Sequence, residues 1–406
     1  MVKRILIISQ YFYPEDFRIN DMAHDLLERG YDVTVLTGIP NYPEGKFFNG
    51  YHFKFQKENW QGIKIIRLPI IPRGSSSVQL VLNYLSFVIS GLIFIVTTKP
   101  KFDLIFTYEV SPMTQALLGP WLAKRIGCPS ILYVLDLWPE NIQVAAGINN
   151  SLILRSIRRM VNYIYQKTDL ILASSKSFVN EIKSYQINPD KVTYWPQYGE
   201  EIYHPIEKKR EDFNWIHHHD QFVIGFTGNI GNAQGLQILP RVAKLLQEED
   251  LPVLFLIVGD GRFKDDLVKE IKQKNVQSYF QFIDRQPSNV ISDILAEVDV
   301  AFLSFDDNPI YEKTIPAKLQ TYIACAKPVL VSAKGEVERI IKEAKAGLTC
   351  PAGDERALLS CIKYFMNMDP EQLKAMGKNA RNYFEANFSK TKLMDQLDQL
   401  FQKECK

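Results

Sequence analysis

The sequence predicts an α/β protein built from two doubly wound parallel-sheet domains, and three observations predict it. Short apolar runs of strand length alternate with segments of helical spacing, the pattern of parallel strands joined by crossover helices. That series runs twice, with one break between the two passes. At 406 residues, the chain exceeds what one ordinary core fills, so two domains are the natural count.

The chain opens with Met1-Val2-Lys3-Arg4 and an apolar run over residues 5–8. That run is far too short for a signal-peptide core and reads as a first strand. Residues 19–29 carry apolar side chains at helical spacing, Gly30 stands in the C-cap position, and residues 33–36 form the next strand. Further strands fall at residues 63–68, 104–108, 131–135 and 170–173. The rhythm breaks over residues 192–199 and the polar stretch to Asp220, which places the domain joint there. A second series starts at residues 222–226 and repeats at 253–258, 279–283, 300–303 and 329–331. The last helices, over residues 371–406, precede no further strand and are expected to pack back across the joint. The expected division is residues 1–198, residues 199–384, and a returning helix over residues 385–406.

Forty-eight basic and 46 acidic residues leave a formal charge of +2. The two signs are closely mixed, which offers no polyanion-binding face and argues against a nucleic-acid partner. Five cysteines without paired spacing read as reduced thiols of a cytoplasmic chain, and support neither a disulfide framework nor a zinc site. His217-His218-His219 fall in the polar connector, where one local cluster lacks a fixed ligand geometry and reads as solvated loop.

One segment resists the soluble reading. Residues 75–98 hold no charge, and residues 78–96, rich in Leu, Ile, Val and Phe, lie between Arg73 and Lys99. That length is enough to span a bilayer. Gln79, Asn83, Ser86 and Ser90 interrupt it, and its neighbours on both sides belong to one continuous α/β domain. A helix with one face exposed to lipid is therefore expected, ahead of a span or a wholly buried helix.

In an open α/β sheet, ligands bind beyond the carboxyl ends of the strands. Asp136-Leu137-Trp138-Pro139-Glu140 puts two carboxylates and an indole at such an end. The loop Gly228-Asn229-Ile230-Gly231-Asn232-Ala233-Gln234-Gly235 follows another strand with the spacing of an anion-cradling turn. Val258-Gly259-Asp260-Gly261 and Ile283-Asp284-Arg285-Gln286 end two more strands of that sheet, and Thr314-Ile315-Pro316-Ala317-Lys318 adds a hydroxyl and an ammonium before a helix. Loops converging on one edge predict a nucleotide pocket. After the first strand, Ser9 to Arg18 contains no Gly-x-Gly-x-x-Gly, which disfavours a nicotinamide dehydrogenase. Arg18, Asn20 and Asp21 instead open the first helix, where free N–H groups and the dipole attract an anion that Arg18 can grip with a forked donor. Each feature alone also has a purely structural reading: a surface Arg, a glycine-rich turn, a capping Asp136, a packed Trp138.

Taken in order, Asn41-Tyr42-Pro43, the Asp136 to Glu140 motif, the Gly228 to Gly235 loop, the Gly259-Asp260-Gly261 turn and Pro316-Ala317-Lys318 through Pro328-Val329 resemble bacterial family 4 glycosyltransferases. The resemblance covers nearly the whole chain and is strongest to the branch that builds O-antigen, capsule and colanic-acid saccharides. It implies a GT-B fold, two Rossmann-like domains facing a cleft, and a retaining, metal-independent transfer from a nucleotide sugar, with no cofactor beyond that substrate. On that reading the catalytic residues are Asp136, where the family places a His or Asp beside the donor sugar, and Glu109 at the end of the preceding strand as reserve carboxylate. The diphosphate falls to Arg18, Gly228, Asn229, Gln234 and Lys318, and the nucleotide to Gly259, Asp260, Ile283, Arg285 and Thr321. Asn41, Tyr42, Trp138 and Glu140 face the acceptor, with Tyr42 and Trp138 as an aromatic wall. The expected donor is a UDP-linked hexose or aminosugar. The expected acceptor is a polyprenyl-diphosphate-linked saccharide at the inner face of the plasma membrane, reached through residues 78–96.

The chain also departs from the family. Asn229 and Gln234 stand where an Arg and a Lys occur in the phosphate loop, and Asp16-Phe17-Arg18 replaces an amino-terminal Gly-Gly loop. At the family's glutamate pair stand Lys313 and Thr321, with Glu312 one residue off register. These losses predict a redistribution in which Arg18 and Lys318 supply the positive charge. Two other functions fit the same architecture: a UDP-aminosugar 2-epimerase and a non-catalytic nucleotide-sugar-binding protein. The Asp136 motif and the apolar helix favour a transferase over the epimerase, while Asn229, Gln234 and Thr321 keep the binding protein open.

Overall fold

Apolar runs shielded on both faces become the strands of two parallel sheets in the computed structural model, which describes residues 3–147, 150–206 and 221–405. The triple-histidine stretch, residues 217–219, lies outside the described residues. The first sheet contains β1 (Arg4–Ile8), β2 (Asp32–Gly38), β3 (Gln56–Trp60), β4 (Ile63–Leu68), β5 (Leu104–Glu109), β6 (Ser130–Val134), β7 (Leu170–Ala173) and β8 (Val192–Tyr194). Its order is β3-β4-β2-β1-β5-β6-β7-β8, and only β3 runs antiparallel to its neighbour. The second sheet contains β9 (Phe222–Thr227), β10 (Val253–Val258), β11 (Phe280–Ile283), β12 (Val300–Ser304), β13 (Val329–Ser332) and β14 (Gly347–Cys350), in the order β11-β10-β9-β12-β13-β14.

Both sheets reverse direction of growth at an inner strand, between β1 and β5 in one and between β9 and β12 in the other. Such switch points open a crevice at the carboxyl ends of the strands. The loops after β1 and β5 flank that crevice in the first sheet, and those after β9 and β12 flank it in the second.

Three strands escape an apolar-run reading, each for a physical reason. β3 (Gln-Lys-Glu-Asn-Trp) is an edge strand with alternating half-buried and exposed positions. β8 and β14 are short edge strands, and β8 occupies residues expected to be joint. The chain divides between Trp195 and Pro196, and its tail rejoins the first unit from Met394. These limits replace the expected breaks after residues 198 and 384. The last helix, Lys390–Glu404, buries Leu397 and Phe401 completely, with Phe401 against Phe106 and Tyr31 and with Asp395 paired to Arg29 at 2.7 Å. Its apolar spacing explains why the tail returns to that unit.

The uncharged segment is a helix, Ser77–Thr97, started by a capping box between Ser76 and Gln79. Three of the four polar residues that interrupt its apolar run, Asn83, Ser86 and Ser90, form one stripe that faces the protein, while Gln79 is exposed in the cap. Asn83 donates to Ile71 O and accepts from Gln10, Ser86 accepts from Ile71 N, and Ser90 donates to Pro69 O. Phe87, Val88, Phe94 and Ile95 join the core on the same side. Val78, Val81, Leu82, Leu85, Ile89, Leu92, Ile93 and Val96 all lie exposed along the other side, at helical spacing.

Candidate active site

In the carboxyl-terminal unit the ends of β9 and β10 approach so closely that their loops admit only glycine. Gly259 has φ +144° and a Cβ added there would lie 1.9 Å from Gly228 O, while Gly228 itself has φ +126°. Gly228 N donates to Val258 O and Gly259 N to Ile283 O, each at 2.9 Å. Tyr322 fixes the end of β9, accepting from Thr227 N at 2.9 Å. A cavity of about 640 Å³ opens above these loops, lined by Thr227, Gly228, Asn229, Gly259, Asp260, Gly261, Arg285, Ala317, Lys318 and Thr321 among others.

Seven of the nine residues expected to hold a nucleotide diphosphate in this unit thus line one cavity: Gly228, Asn229, Gly259, Asp260, Arg285, Lys318 and Thr321. The other two act from behind it. Gln234 accepts a hydrogen bond from the Lys318 ammonium, and Ile283 is buried, contributing its carbonyl to Gly259 N. Asp260 spends one carboxylate oxygen on Gly261 N at 2.8 Å. Thr321 is buried and donates its hydroxyl proton to Ala317 O at 3.3 Å, which leaves only lone pairs for a ligand.

Lys318 sits in the first turn of helix Ala317–Ala324, whose free N–H groups open toward the cavity with the positive end of the dipole. Its ammonium lies 4.1 Å from the centre of the Phe226 ring. Burial lowers its pKa to about 7, because a charge is costly away from water. Tyr203, Ser288 and Ile291 complete the wall and were not singled out from the sequence. Tyr203 follows the joint in an irregular segment, where no periodicity marks an inward side chain.

In the amino-terminal unit, Glu109 ends β5 and is completely buried. Its Oε2 accepts from Leu135 N and Asp136 N, both at 3.3 Å, and its Oε1 has no protein partner. Burial, followed by the neighbouring Asp136, drives its pKa well above the ordinary carboxyl value. Asp136 is half-buried, with Oδ2 accepting from Ser111 N at 2.7 Å. Arg18 begins helix Arg18–Glu28 and lies within electrostatic reach of Tyr108 and Tyr133, under the same strand ends.

Two expected acceptor residues are structural instead. Trp138 is 4 % exposed in the core, donates its indole N–H to Ser111 Oγ at 3.1 Å and packs beside Tyr84, so it offers no free face as a wall. Asn41 is fully buried, donating to Ile39 O and accepting from Arg73 N. Tyr42 does remain exposed, stabilised by Tyr11, Phe17 and the Arg73 guanidinium at 5.4 Å. Glu140 begins helix Glu140–Ala146, half-buried, with Oε2 lacking a protein partner. The residue that ties the Asn41 loop down is Glu15, which accepts the N–H groups of Phe12, Asn41 and Tyr42. Burial raises its pKa to about 7 against the lowering effect of those bonds.

Comparison with known proteins gives two family matches, one to each unit. Residues 207–383 match the family described as Glycosyl transferases group 1, and residues 17–197 match the Glycosyl transferase 4-like domain. The chain is 26 % identical over 285 residues to WbjE of Pseudomonas aeruginosa, described as a glycosyltransferase, covering 69 % of each. It is 23 % identical over 350 residues to WcaI of Escherichia coli K12, described as a colanic acid biosynthesis glycosyl transferase, covering 82 % of this chain and 84 % of that one. Anabaena HepE, solved with UDP and glucose, superposes with a TM-score of 0.70 at 14 % identity, over 99 % of this chain and 100 % of its own.

Proposed function

Since this chain belongs to the group 1 glycosyltransferases, with a 4-like amino-terminal domain and the GT-B fold, we propose that it transfers a sugar from a UDP-type nucleotide donor to a lipid-linked saccharide in surface polysaccharide synthesis. The names of WbjE and WcaI support the polysaccharide context, and the UDP complex of HepE supports the donor type. The observation that carries the proposal is the cavity above Gly228 and Gly259, with Lys318 and a helix N-terminus directed into it.

In the proposed reaction the bond between the anomeric carbon and the diphosphate oxygen breaks as the acceptor hydroxyl attacks from the same face. The departing phosphate takes the acceptor proton, which gives retention. Negative charge then grows on the diphosphate, and backbone N–H groups at the glycine loops together with the Lys318 ammonium stabilise it. Arg18 is proposed as a second phosphate cation, compensating for Asn229 and Gln234. Asp136 is proposed to orient a hydroxyl of the sugar, with Glu109 holding its backbone in place. The chemistry proposed needs positioning and charge stabilisation, not a metal. The apolar outer face of helix Ser77–Thr97 is proposed to rest on the inner leaflet of the plasma membrane, where a polyprenyl-diphosphate acceptor resides.

The test is transfer of labelled sugar from a panel of UDP-sugars to a lipid-linked acceptor extract, with folded Asp136→Ala as control. Transfer abolished in that variant supports the proposal. Return of an isomerised nucleotide sugar without UDP release would identify an epimerase, and UDP-sugar binding without turnover would leave a binding protein.

A further inference from the structure

Resting on that membrane-facing reading of helix Ser77–Thr97, we infer that the amino-terminal unit selects anionic phospholipid, and that Arg155, Arg158 and Arg159 bind its phosphate headgroups. The three arginines occupy one exposed face of helix Ser151–Lys167, spaced three and four residues apart. They surround a recess of about 300 Å³ whose other lining includes Asn162 and Tyr185. Asn162 Oδ1 is buried there with no protein partner, and Arg158 stacks 5.2 Å from the centre of the Tyr185 ring. None of the three arginines forms an ion pair among the described residues. Forked, unpaired guanidiniums are the side chains that match phosphate oxygens.

The position of this cluster argues for lipid as the source of the phosphate. One turn before it, Leu152 and Ile153 project exposed, at 68 % and 46 %. Helix Leu118–Ile126 bridges the two helices: Trp121 donates to Tyr163 OH at 3.0 Å, and Arg125 donates to Val96 O at 3.0 Å. Eight exposed apolar side chains on helix Ser77–Thr97 thus adjoin a basic helix with its own apolar tip. Residues 77–167 contain eight basic side chains (Lys99, Lys101, Lys124, Arg125, Arg155, Arg158, Arg159, Lys167) against four acidic ones (Asp103, Glu109, Asp136, Glu140). Of the four, Asp103 is paired with Arg4 and Glu109 is buried. An interfacial helix beside a cluster of arginines complements an anionic leaflet, whose surface potential attracts each basic group separately.

Co-sedimentation of the full chain with vesicles tests this, using phosphatidylcholine alone and phosphatidylcholine mixed with phosphatidylglycerol. The expected result is tighter binding to the mixed vesicles, weakened by salt. Replacing all three arginines by glutamine should reduce that affinity roughly 10²-fold, at about fivefold per basic residue, and leave the weak binding to phosphatidylcholine unchanged. Arg→Lys at the same positions should restore most of it. Equal binding to both vesicle types, unaffected by the glutamine variant, would overturn the inference while leaving the membrane reading intact. Binding to neither would overturn both, as would a dimer in sedimentation velocity that vesicles do not dissociate and that Leu85→Ser with Ile89→Ser abolishes. Inorganic phosphate competing as well as phosphatidylglycerol vesicles would show a free anion site and overturn the lipid assignment.

Discussion

Replacing Lys318 by Met should separate the binding of the diphosphate from the stability of the fold. The ammonium lies 4.1 Å from the Phe226 ring centre and has a pKa of about 7 in the free protein, lowered by burial. A diphosphate beside it restores the charged form, so binding above neutral pH must take up a proton. The free protein is about one-tenth protonated there at one pH unit above that value, so UDP affinity should fall close to tenfold per pH unit from about pH 8 to pH 10. Titration calorimetry at pH 8 in buffers of different ionisation enthalpy should report uptake of nearly one proton. In Lys318→Met that uptake should vanish, and the transfer rate should drop by roughly 10²–10³, the usual effect of removing one donor from a developing anion. The linkage to folding has its own sign. The unfolded lysine holds its proton up to about 10.4 and the folded one loses it near 7, so the unfolded state binds more protons between those values and stability rises with pH across that window. At pH 7 the variant should melt no lower than the wild type, since it no longer desolvates an ammonium. Wild-type turnover in Lys318→Met, or unchanged proton uptake, would refute the assignment.

Two further changes probe the supports of each unit. Gly259→Ala places a Cβ 1.9 Å from Gly228 O at φ +144°, and should cost about 3 kcal/mol in urea denaturation and abolish UDP-induced stabilisation; full UDP binding in that variant would exclude the glycine loops from the site. Glu109 binds a proton when folded that its unfolded form gives up above about pH 4.3, so its contribution is whole below that value and is lost as pH rises toward the raised folded value. Glu109→Gln should therefore flatten part of the decline of stability with pH while retaining activity, whereas Glu109→Ala, which strands the N–H groups of Leu135 and Asp136, should cost about 1–3 kcal/mol and lower the rate. The remaining slope in Glu109→Gln should come from Glu15, raised to about 7 in the same direction.

The two parallel sheets were legible because their inner strands are apolar runs shielded on both faces, as in β10, where all six residues are buried. β3 was not, because an antiparallel edge strand of Gln, Lys, Glu, Asn and Trp has no such run to show. The carboxyl-terminal cavity was legible at Gly228, Gly259 and Lys318, where the backbone geometry of a close approach and a helix start demands particular residue types. Trp138 and Asn41 illustrate the opposite case. Their motif positions are adjacent to the strand ends, yet which way a side chain turns there depends on Ser111, Tyr84 and Arg73, partners distant in sequence. Glu15 is the same problem inverted, since its role exists only through the N–H groups of a loop that it reaches across 26 residues. In helix Ser77–Thr97 the polar interruptions weighed against a span, and the structure shows what they do instead: Asn83, Ser86 and Ser90 recur at helical spacing and bond to the protein.

The glycine loops, Lys318 and the helix that starts at Ala317 are proposed to hold the diphosphate of an activated sugar. A crystal structure with UDP tests it most directly. Phosphate oxygens should lie within hydrogen-bond reach of Lys318 Nζ and of the backbone N–H groups around Gly228, with the nucleoside against Tyr203 and Ile291. UDP bound elsewhere on the chain, with that cavity left to solvent, would contradict it.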